Sequence, residues 1–289
     1  MLLRILPGCC GFSLALLAAS SMAQIAVTVP DHVTAGTGFT LSVAGQGKGT
    51  LYLLGPSRAI KRDIELGKET QIAGTEVTSS GTYQLSVCGT DCSTKIINVE
   101  PATPARLGFL LHPSRVPVST SNAVNGTIIA FDEYNNIVTA PSEVTFRIAS
   151  GGEKASVKTM RTVRGIAAFQ MDSRPTQGTL EVTASLAHAS EPRVIQQVAS
   201  EACGLRMSAV PSGSRITLQT EPIRDCKGNP LPDGTIVSFT KIDDAGKSTV
   251  DTPIKKDRAS AQFSVAGSAR ISVACGVVVG NEIAWGGRE

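Results

Sequence analysis

One short stretch of the chain gathers residue types that could do chemistry. It runs from Ile223 to Phe239 and reads IRDCKGNPLPDGTIVSF, with Asp225, Cys226, Asn229 and Asp233 inside nine positions. Such a set could form a catalytic or metal-binding loop, or it could be the bend between two strands. A type I turn is favoured, because Asp at its first position and Gly at its fourth fit that turn, and the Asp side chain can accept hydrogen bonds from nearby backbone N–H groups.

The histidines and serines do not form a pattern typical of nucleophilic catalysis. The sequence contains no Gly-x-Ser-x-Gly elbow. His32, His112 and His188 are spread so widely that a serine–histidine–carboxylate set would have to be assembled across separate segments. We therefore expect these histidines to be structural or solvated, predict no catalytic residue, and interpret the chain as a non-enzymatic protein.

The acidic residues offer one candidate for a metal site. Asp243, Asp244 and Asp251 fall in one turn region, and calcium requires clustered oxygen ligands. Two adjacent acids followed by Ala-Gly more often form a solvated hairpin tip, which is the favoured interpretation. The sequence therefore predicts no metal site and no cofactor.

The cysteines indicate disulfide bonds. Of seven cysteines, Cys9 and Cys10 fall in the N-terminal leader described below, so five remain in the mature chain. Cys88 and Cys92 flank a three-residue loop where one strand turns back into another, and they lie close enough to bridge if their side chains face the same way. We predict a disulfide between them. Free thiols and a metal site are the alternatives, but zinc would need further ligands.

The N-terminus has the pattern of a secretory signal peptide over residues 1–23. Arg4 supplies the positive charge, Phe12 to Ala19 the apolar region, and Ser21-Met22-Ala23 the small-residue cleavage site. No later run reaches the roughly 18 apolar residues that a membrane helix needs. We expect an exported protein that is periplasmic, extracellular or associated with the cell surface, without a transmembrane segment. Loss of Arg4 lowers the formal charge from +3 to +2, a balance that disfavours nucleic acid as a partner.

Alternation of polar and apolar residues dominates the mature chain. It is unbroken in Thr82 to Val87, Glu143 to Ile148 and Arg215 to Gln219, and this period of two predicts half-buried antiparallel strands. Strands recur about every 8–12 residues between turn residues, which is typical of an all-β sandwich. A proline-rich break at Glu100 to Pro104 and a softer one at Ala199 to Gly204 predict three tandem immunoglobulin-like domains, at residues 24–101, 102–200 and 201–289.

The second and third segments repeat each other. Phe131 to Val138 matches Arg224 to Leu231 when Asp132 is laid on Asp225, and the distance from that Asp to the next strand's Phe is fourteen positions in both. The pattern Asp-x-x-Gly-Asn-Pro, then Gly-Thr-x-Val-x-Phe, resembles the bacterial immunoglobulin-like domains of the invasin and intimin type. The second segment departs from it, with Asn135 in place of the turn glycine and no proline after Asn136.

The first segment resembles only a generic immunoglobulin-like sandwich. Its residues Ser80 to Val87 are similar to the tyrosine-corner entry to an F strand. For residues 102–289, the resemblance implies a rigid spacer or a recognition module on the bacterial surface.

In an immunoglobulin-like sandwich the start of the first strand, the B–C loop and the end of the F strand lie at one pole. Cys203, Cys226 and Cys275 map to those three places. We predict one disulfide among them, with the third cysteine free or partnered, and the choice of pair stays open. That pole should face the second domain, where the bond would stiffen the junction.

Taken together, these patterns predict a structural or interaction protein at the bacterial envelope or cell surface, in adhesion or assembly, with a protein as its partner. The alternative is an accessory carbohydrate- or partner-binding module of an extracellular enzyme system. Sugar-binding sandwiches present aromatic platforms, and one tryptophan with three tyrosines makes such a platform improbable. Trp285 is expected to pack in the core or at the edge of the last strand. No small-molecule ligand is expected.

Overall fold

The computed structural model describes residues 25–151, 154–264 and 267–286, and the predicted signal peptide lies outside them. Within these ranges the chain forms 23 strands and a single 3₁₀ turn at Gly74–Glu76. The predicted all-β fold class is confirmed. None of the described residues belongs to a helix long and apolar enough to cross a membrane.

The chain divides into two compact units, of which the first ends at Glu100 and the second begins at Pro101. This division falls inside the predicted proline-rich break. The first unit has one core of buried apolar side chains, and the second unit has two. We call the regions around these cores the first sandwich (residues 25–100), the second sandwich (residues 101–198) and the third sandwich (residues 199–286).

The first sandwich contains eight strands: β1 (Val27–Thr28), β2 (His32–Thr34), β3 (Phe39–Val43), β4 (Gly47–Leu54), β5 (Ala59–Leu66), β6 (Thr70–Ile72), β7 (Gly81–Cys88) and β8 (Cys92–Glu100). Their orders are β1-β3-β6 in one sheet and β2-β8-β7-β4-β5 in the other. Tyr83, the predicted corner tyrosine, is only 1% exposed at the start of β7.

The second sandwich repeats this arrangement strand for strand. Its strands are β9 (Arg106–His112), β10 (Arg115–Pro117), β11 (Val124–Phe131), β12 (Glu143–Ser150), β13 (Ser156–Arg161), β14 (Ile166–Met171), β15 (Gly178–Leu186) and β16 (Ala189–Val198). The sheet orders are β14-β11-β9 and β10-β16-β15-β12-β13. Eleven residues separate β9 from β11. Within this connection the chain crosses to the other sheet and forms β10.

The third sandwich has one strand fewer. Its strands are β17 (Met207–Ser212), β18 (Arg215–Thr220), β19 (Ile236–Asp243), β20 (Gly246–Pro253), β21 (Ser260–Ser264), β22 (Ala269–Cys275) and β23 (Val278–Trp285). The orders are β17-β18-β21 and β20-β19-β22-β23, and among the described residues there is no counterpart of β2 or β10. A tight turn explains this difference: Ser212 pairs with Arg215, and Gly213 between them has a φ of 61°, so no residues are left to cross between the sheets.

The cores follow from the two-residue period predicted from the sequence. In β12 the side chains of Val144 and Phe146 are fully buried, and in β19 Val237 and Phe239 are equally buried. The Phe146 ring packs against that of Phe169 with 4.6 Å between centroids. The sequence repeat therefore corresponds to equivalent positions in two sandwich cores.

Candidate functional site

The stretch that gathers Asp225, Cys226 and Asn229 is a turn between β18 and β19. The Asp225 carbonyl accepts the Gly228 N–H at 3.0 Å, and Gly228 adopts a φ of 83°. The side-chain oxygen Oδ1 of Asp225 accepts the N–H groups of Lys227 at 2.8 Å and Asn229 at 2.9 Å. The predicted turn with its Asp-to-backbone bonds is confirmed.

The second sandwich has the same turn after β11. Oδ1 of Asp132 accepts the N–H groups of Tyr134 at 2.9 Å and Asn136 at 2.8 Å. Asn135 stands where the other turn has Gly228, and its φ is 67°. Asparagine tolerates this left-handed geometry better than most residues, which explains how Asn135 can replace the turn glycine.

In both turns the second carboxylate oxygen binds the chain that enters the sandwich. Oδ2 of Asp132 accepts the N–H of Ala102 at 2.9 Å, and Oδ2 of Asp225 accepts the N–H of Ser200 at 3.1 Å. An amide from Asn136 or Asn229 also reaches the same carboxylate. Each aspartate therefore fastens the turn to the first residues of its sandwich.

These carboxylates are too enclosed and too fully bonded to serve as bases or metal ligands. Asp132 is 0% exposed and Asp225 is 4% exposed. Burial raises the pKa of each group, but the hydrogen bonds from the turn and the entering chain outweigh it, so the pKa of both lies below its ordinary value. Their role is structural.

Acid is expected to destabilise the third sandwich through Asp225. The folded-state pKa of Asp225 lies below the ordinary value of 3.8. The ionised carboxylate therefore stabilises the folded state fully above the ordinary pKa, and this contribution is lost as the pH falls through the folded-state pKa. The thermal midpoint should stay level from pH 8 to about 5 and drop below about pH 4. Asp225→Asn should flatten this drop, whereas Asp233→Asn should leave it intact. Identical acid limbs in both variants would contradict the assignment.

The same turn ties the third sandwich to the second. The Asn229 side chain donates from Nδ2 to the Pro175 carbonyl at 3.0 Å, and its Oδ1 accepts the Gln177 N–H at 3.3 Å. Asn229 also donates to Asp225. One asparagine therefore bonds to its own turn and to the loop before β15, which orients the two sandwiches relative to each other.

Two disulfides join four of the five cysteines that follow the predicted signal peptide. Cys203 is bonded to Cys226, with an S–S distance of 2.03 Å and a separation of 23 positions in sequence. Cys88 is bonded to Cys92 across the hairpin of β7 and β8, with an S–S distance of 2.02 Å. Cys275 is free and buried. Of the three cysteines of the third sandwich, whose pairing the sequence left open, Cys203 and Cys226 form the bond.

A cavity of about 720 Å³ lies where the second and third sandwiches meet. Arg115 and Val198 line it from the second sandwich, and Pro232, Cys226 and Cys275 line it from the third. Burial raises the pKa of the Cys275 thiol, which disfavours the reactive thiolate. The cavity therefore holds a cysteine without the environment that activates one.

Cys275 is expected to be inert in the folded protein. Ellman's reagent at pH 8 should detect almost no thiol in the native mature chain and one equivalent after denaturation, because the remaining cysteines are bonded. Cys275→Ser should abolish the signal in denaturant. Rapid stoichiometric labelling of the native chain, or a thiol left in the variant, would contradict this pairing.

The other residues weighed for chemistry lie apart. His32, His112 and His188 are exposed, and His32 faces Glu100 at 3.3 Å. Asp243 pairs with Lys241 instead of a neighbouring acid, and Asp251 accepts the Ser238 hydroxyl at 2.6 Å. In the described part of the chain, no three His, Cys, Asp or Glu side chains are grouped to hold a metal ion.

No family model and no curated protein sequence matches the chain. Among the solved structures that resemble it in fold are a bacterial adhesin and invasin. The Escherichia coli adhesin FdeC superposes with a TM-score of 0.57 at 15% identity, over 85% of this chain and 90% of that one. Invasin, a bacterial integrin-binding protein, gives 0.51 at 14% identity, over 89% of this chain. The match spans 57% of the invasin chain.

At these identities the likeness establishes the fold alone. It confirms the predicted resemblance to bacterial immunoglobulin-like domains of the invasin type. Tandem β-sandwiches of this kind are the architecture of the chain.

Proposed function

We propose that the mature chain is an exported, non-enzymatic interaction protein that acts at the bacterial envelope or cell surface, in adhesion or in assembly. The observation that carries the proposal is the tandem-sandwich fold, whose superposition on an adhesin covers 85% of the chain. Sandwiches commonly bind partners through loops and strand edges while their sheets provide a rigid support. A protein is the partner this fold suits best.

The disulfides support export. Cys88–Cys92 and Cys203–Cys226 are both intramolecular bonds, and such bonds persist in oxidising compartments such as the periplasm and the cell exterior. The signal-peptide pattern of residues 1–23 points to the same compartments.

The junction of the second and third sandwiches supports a presenting role. Asn229 bonds to Pro175 and Gln177 across it, and Asp225 holds the entering chain at Ser200. Neighbouring domains joined by such specific bonds keep a defined orientation, which suits a protein that displays a binding surface.

Export is tested by fusing alkaline phosphatase, which is active only outside the cytoplasm, to the C-terminal end of the full chain. The fusion is expected to be active, and deletion of residues 2–20 should abolish its activity. Equal activity with and without those residues would contradict the proposed export.

Partner chemistry is tested with the labelled mature chain on intact bacterial and host cells. Binding should be saturable, should fall when the cells are treated with protease, and should survive mild periodate oxidation of surface sugars. Loss of binding with periodate alone would favour the carbohydrate-binding alternative, and absence of saturable binding to either surface would contradict adhesion.

A further inference from the structure

The outer face of the three-stranded sheet is apolar in the second sandwich. In its central strand β11, Thr127 and Ile129 point outward between buried neighbours. The flanking strands β9 and β14 place one outward residue on each side of Thr127 and of Ile129. We call the resulting six residues the apolar face: Gly108, Leu110, Thr127, Ile129, Ile166 and Ala168.

The third sandwich has polar residues at the same positions. Its strands β17, β18 and β21 pair as β9, β11 and β14 do, since Ile216 lies beside Phe263 as Gly126 lies beside Phe169. The equivalents of the apolar face, in the same order, are Ser208, Val210, Thr217, Gln219, Ser260 and Gln262. Of these six, Val210 alone is apolar, so the shared fold does not require an apolar surface here.

The first sandwich is polar on the corresponding sheet as well. In β1-β3-β6 the outward residues pair as Thr28 with Ser42 and Thr40 with Gln71. Among the three equivalent sheets, an apolar outer face therefore belongs to the second sandwich. Leu110 is 60% exposed there, and contiguous exposed apolar surface on a folded protein commonly marks an interaction site.

Large and small residues are distributed on the apolar face in a way that fits a second copy of it. Each strand contributes one larger and one smaller residue, but Leu110 lies in one row across the sheet, and Ile129 and Ile166 lie in the other. When two copies pack face to face with antiparallel strands, a two-fold axis between the rows brings each row onto the other row of the second copy. Each larger side chain then faces the smaller residue of its own strand. A symmetric dimer requires such a self-complementary surface.

Gly108 provides the recess for the most exposed side chain of the face. It has no side chain of its own, and the ring of Phe131 forms one wall of the recess, because a Cβ added at Gly108 would lie 3.5 Å from that ring. In the antiparallel arrangement the residue that faces Gly108 is Leu110 of the second copy. An exposed leucine thus meets the one position of the face that has room for it.

The charges at the two ends of the apolar face favour the same arrangement. Arg106 and Arg164 lie at one end together with Glu133, which leaves that end positive. Among the described residues neither arginine pairs with a carboxylate. Past the opposite end, the exposed Asp172 accepts the Asn122 N–H at 2.8 Å. Antiparallel copies bring the arginine end of one towards the Asp172 end of the other, whereas parallel copies bring the arginines together.

The size of the face sets the strength of the contact. Three strands about 4.8 Å apart, with four outward residues on each, span a flat area of about 400 Å², whereas a standard interface buries about 800 Å² on each partner. The dimer should therefore be weak, with a Kd of about 50 µM.

We propose that the apolar face of the second sandwich binds the same face of a second copy of this chain, with the strands of the two copies antiparallel. The contact is symmetric and joins two chains through their second sandwiches. This inference goes beyond the proposed function, which concerns a different protein as partner.

Sedimentation velocity on the mature chain tests the proposal, over concentrations from about 1 to 300 µM. The sedimentation coefficient should rise from that of a monomer to that of a dimer. Leu110→Gln should weaken association at least ten-fold, because a buried apolar side chain is lost from both copies. Val210→Gln is the matched control: Val210 occupies the equivalent position in the third sandwich and is 59% exposed, so association should not change. Unchanged thermal unfolding shows that both variants fold.

Gly108→Ala distinguishes a seated contact from non-specific apolar association. The added methyl group makes an ordinary contact with Phe131 at 3.5 Å, so the variant should fold. It fills the recess for Leu110 and should weaken association at least five-fold, since overpacking a close contact is unfavourable. Non-specific association would instead become tighter, because the face gains apolar surface.

Three results would overturn the proposal: a monomer at every concentration, equal weakening by Leu110→Gln and Val210→Gln, or unchanged or tighter association in Gly108→Ala. A monomer would also show that this face serves an occupant other than a second copy. These measurements use the purified chain and involve neither export nor cell binding. Their failure is therefore distinguishable from failure of the proposed function.

Discussion

Asp225→Ala is expected to lower the free energy of unfolding of the third sandwich by about 3 kcal/mol, because several N–H donors lose their acceptor at a buried position. The donors are the backbone N–H groups of Ser200, Lys227 and Asn229. Urea unfolding followed by Trp285 fluorescence measures the change, since the chain has one tryptophan and it lies in this sandwich.

Asp233→Ala is the matched control. Asp233 lies in the same connection and accepts the Lys256 N–H at 3.0 Å, but it is exposed, so its loss should cost about 1 kcal/mol or less. Similar losses in the two variants would show that Asp225 is an ordinary surface carboxylate and would contradict the structural role assigned to it.

Replacing both Cys203 and Cys226 by serine is expected to destabilise the third sandwich by about 3 kcal/mol, since the bond closes a loop of moderate length in the unfolded chain. The two cysteines are 23 positions apart. The change should appear in the same Trp285 unfolding transition. Refolding of the double variant should be slower only if the loop between residues 203 and 226 closes early in folding.

Replacing Cys88 and Cys92 by serine is the comparison. This bond spans four positions, so it restricts the unfolded chain less, and the β7–β8 pairing already holds the two ends together. It also lies in the first sandwich, so the Trp285 transition should not move. A shift of that transition equal to the one for Cys203 and Cys226 would contradict the expected local effect.

The turn could be predicted from sequence because its chemistry is local. Asp225 and Gly228 stand at the two positions that a type I turn selects, and the repeat with Asp132 and Asn135 provides an internal comparison. The alternation of polar and apolar residues likewise predicted strands such as β12 and β19, because burial on one face of a sheet imposes that period.

Contacts between distant residues could not be predicted in this way. Ser200 and Asp225 meet because the entering chain passes beside the turn, and Asn229 meets Pro175 because the turn contacts the loop before β15. Topology placed three cysteines at one pole but left the pairing open, since the choice depends on distances of a few ångströms.

The absence of a counterpart of β2 and β10 from the described part of the third sandwich has a signal in the sequence. The segment between β9 and β11 is long enough to cross between sheets, whereas Pro211 to Arg215 contains only a tight turn before β18. The lengths of these two connections therefore predict that only the first of them can include a short strand on the opposite sheet.

The claim that the Asp225–Asn229 turn is a joint between the second and third sandwiches is tested most directly by pulsed electron paramagnetic resonance. Spin labels are attached at the exposed positions Val157 and Val210, one in each sandwich, and the distance distribution is measured in the mature chain and in Asn229→Ala. The structure predicts one narrow distribution in the mature chain. It should broaden in the variant, because the bonds of the Asn229 side chain to Pro175 and Gln177 are lost. A broad distribution in the unmodified chain, or an unchanged narrow one in the variant, would contradict the claim.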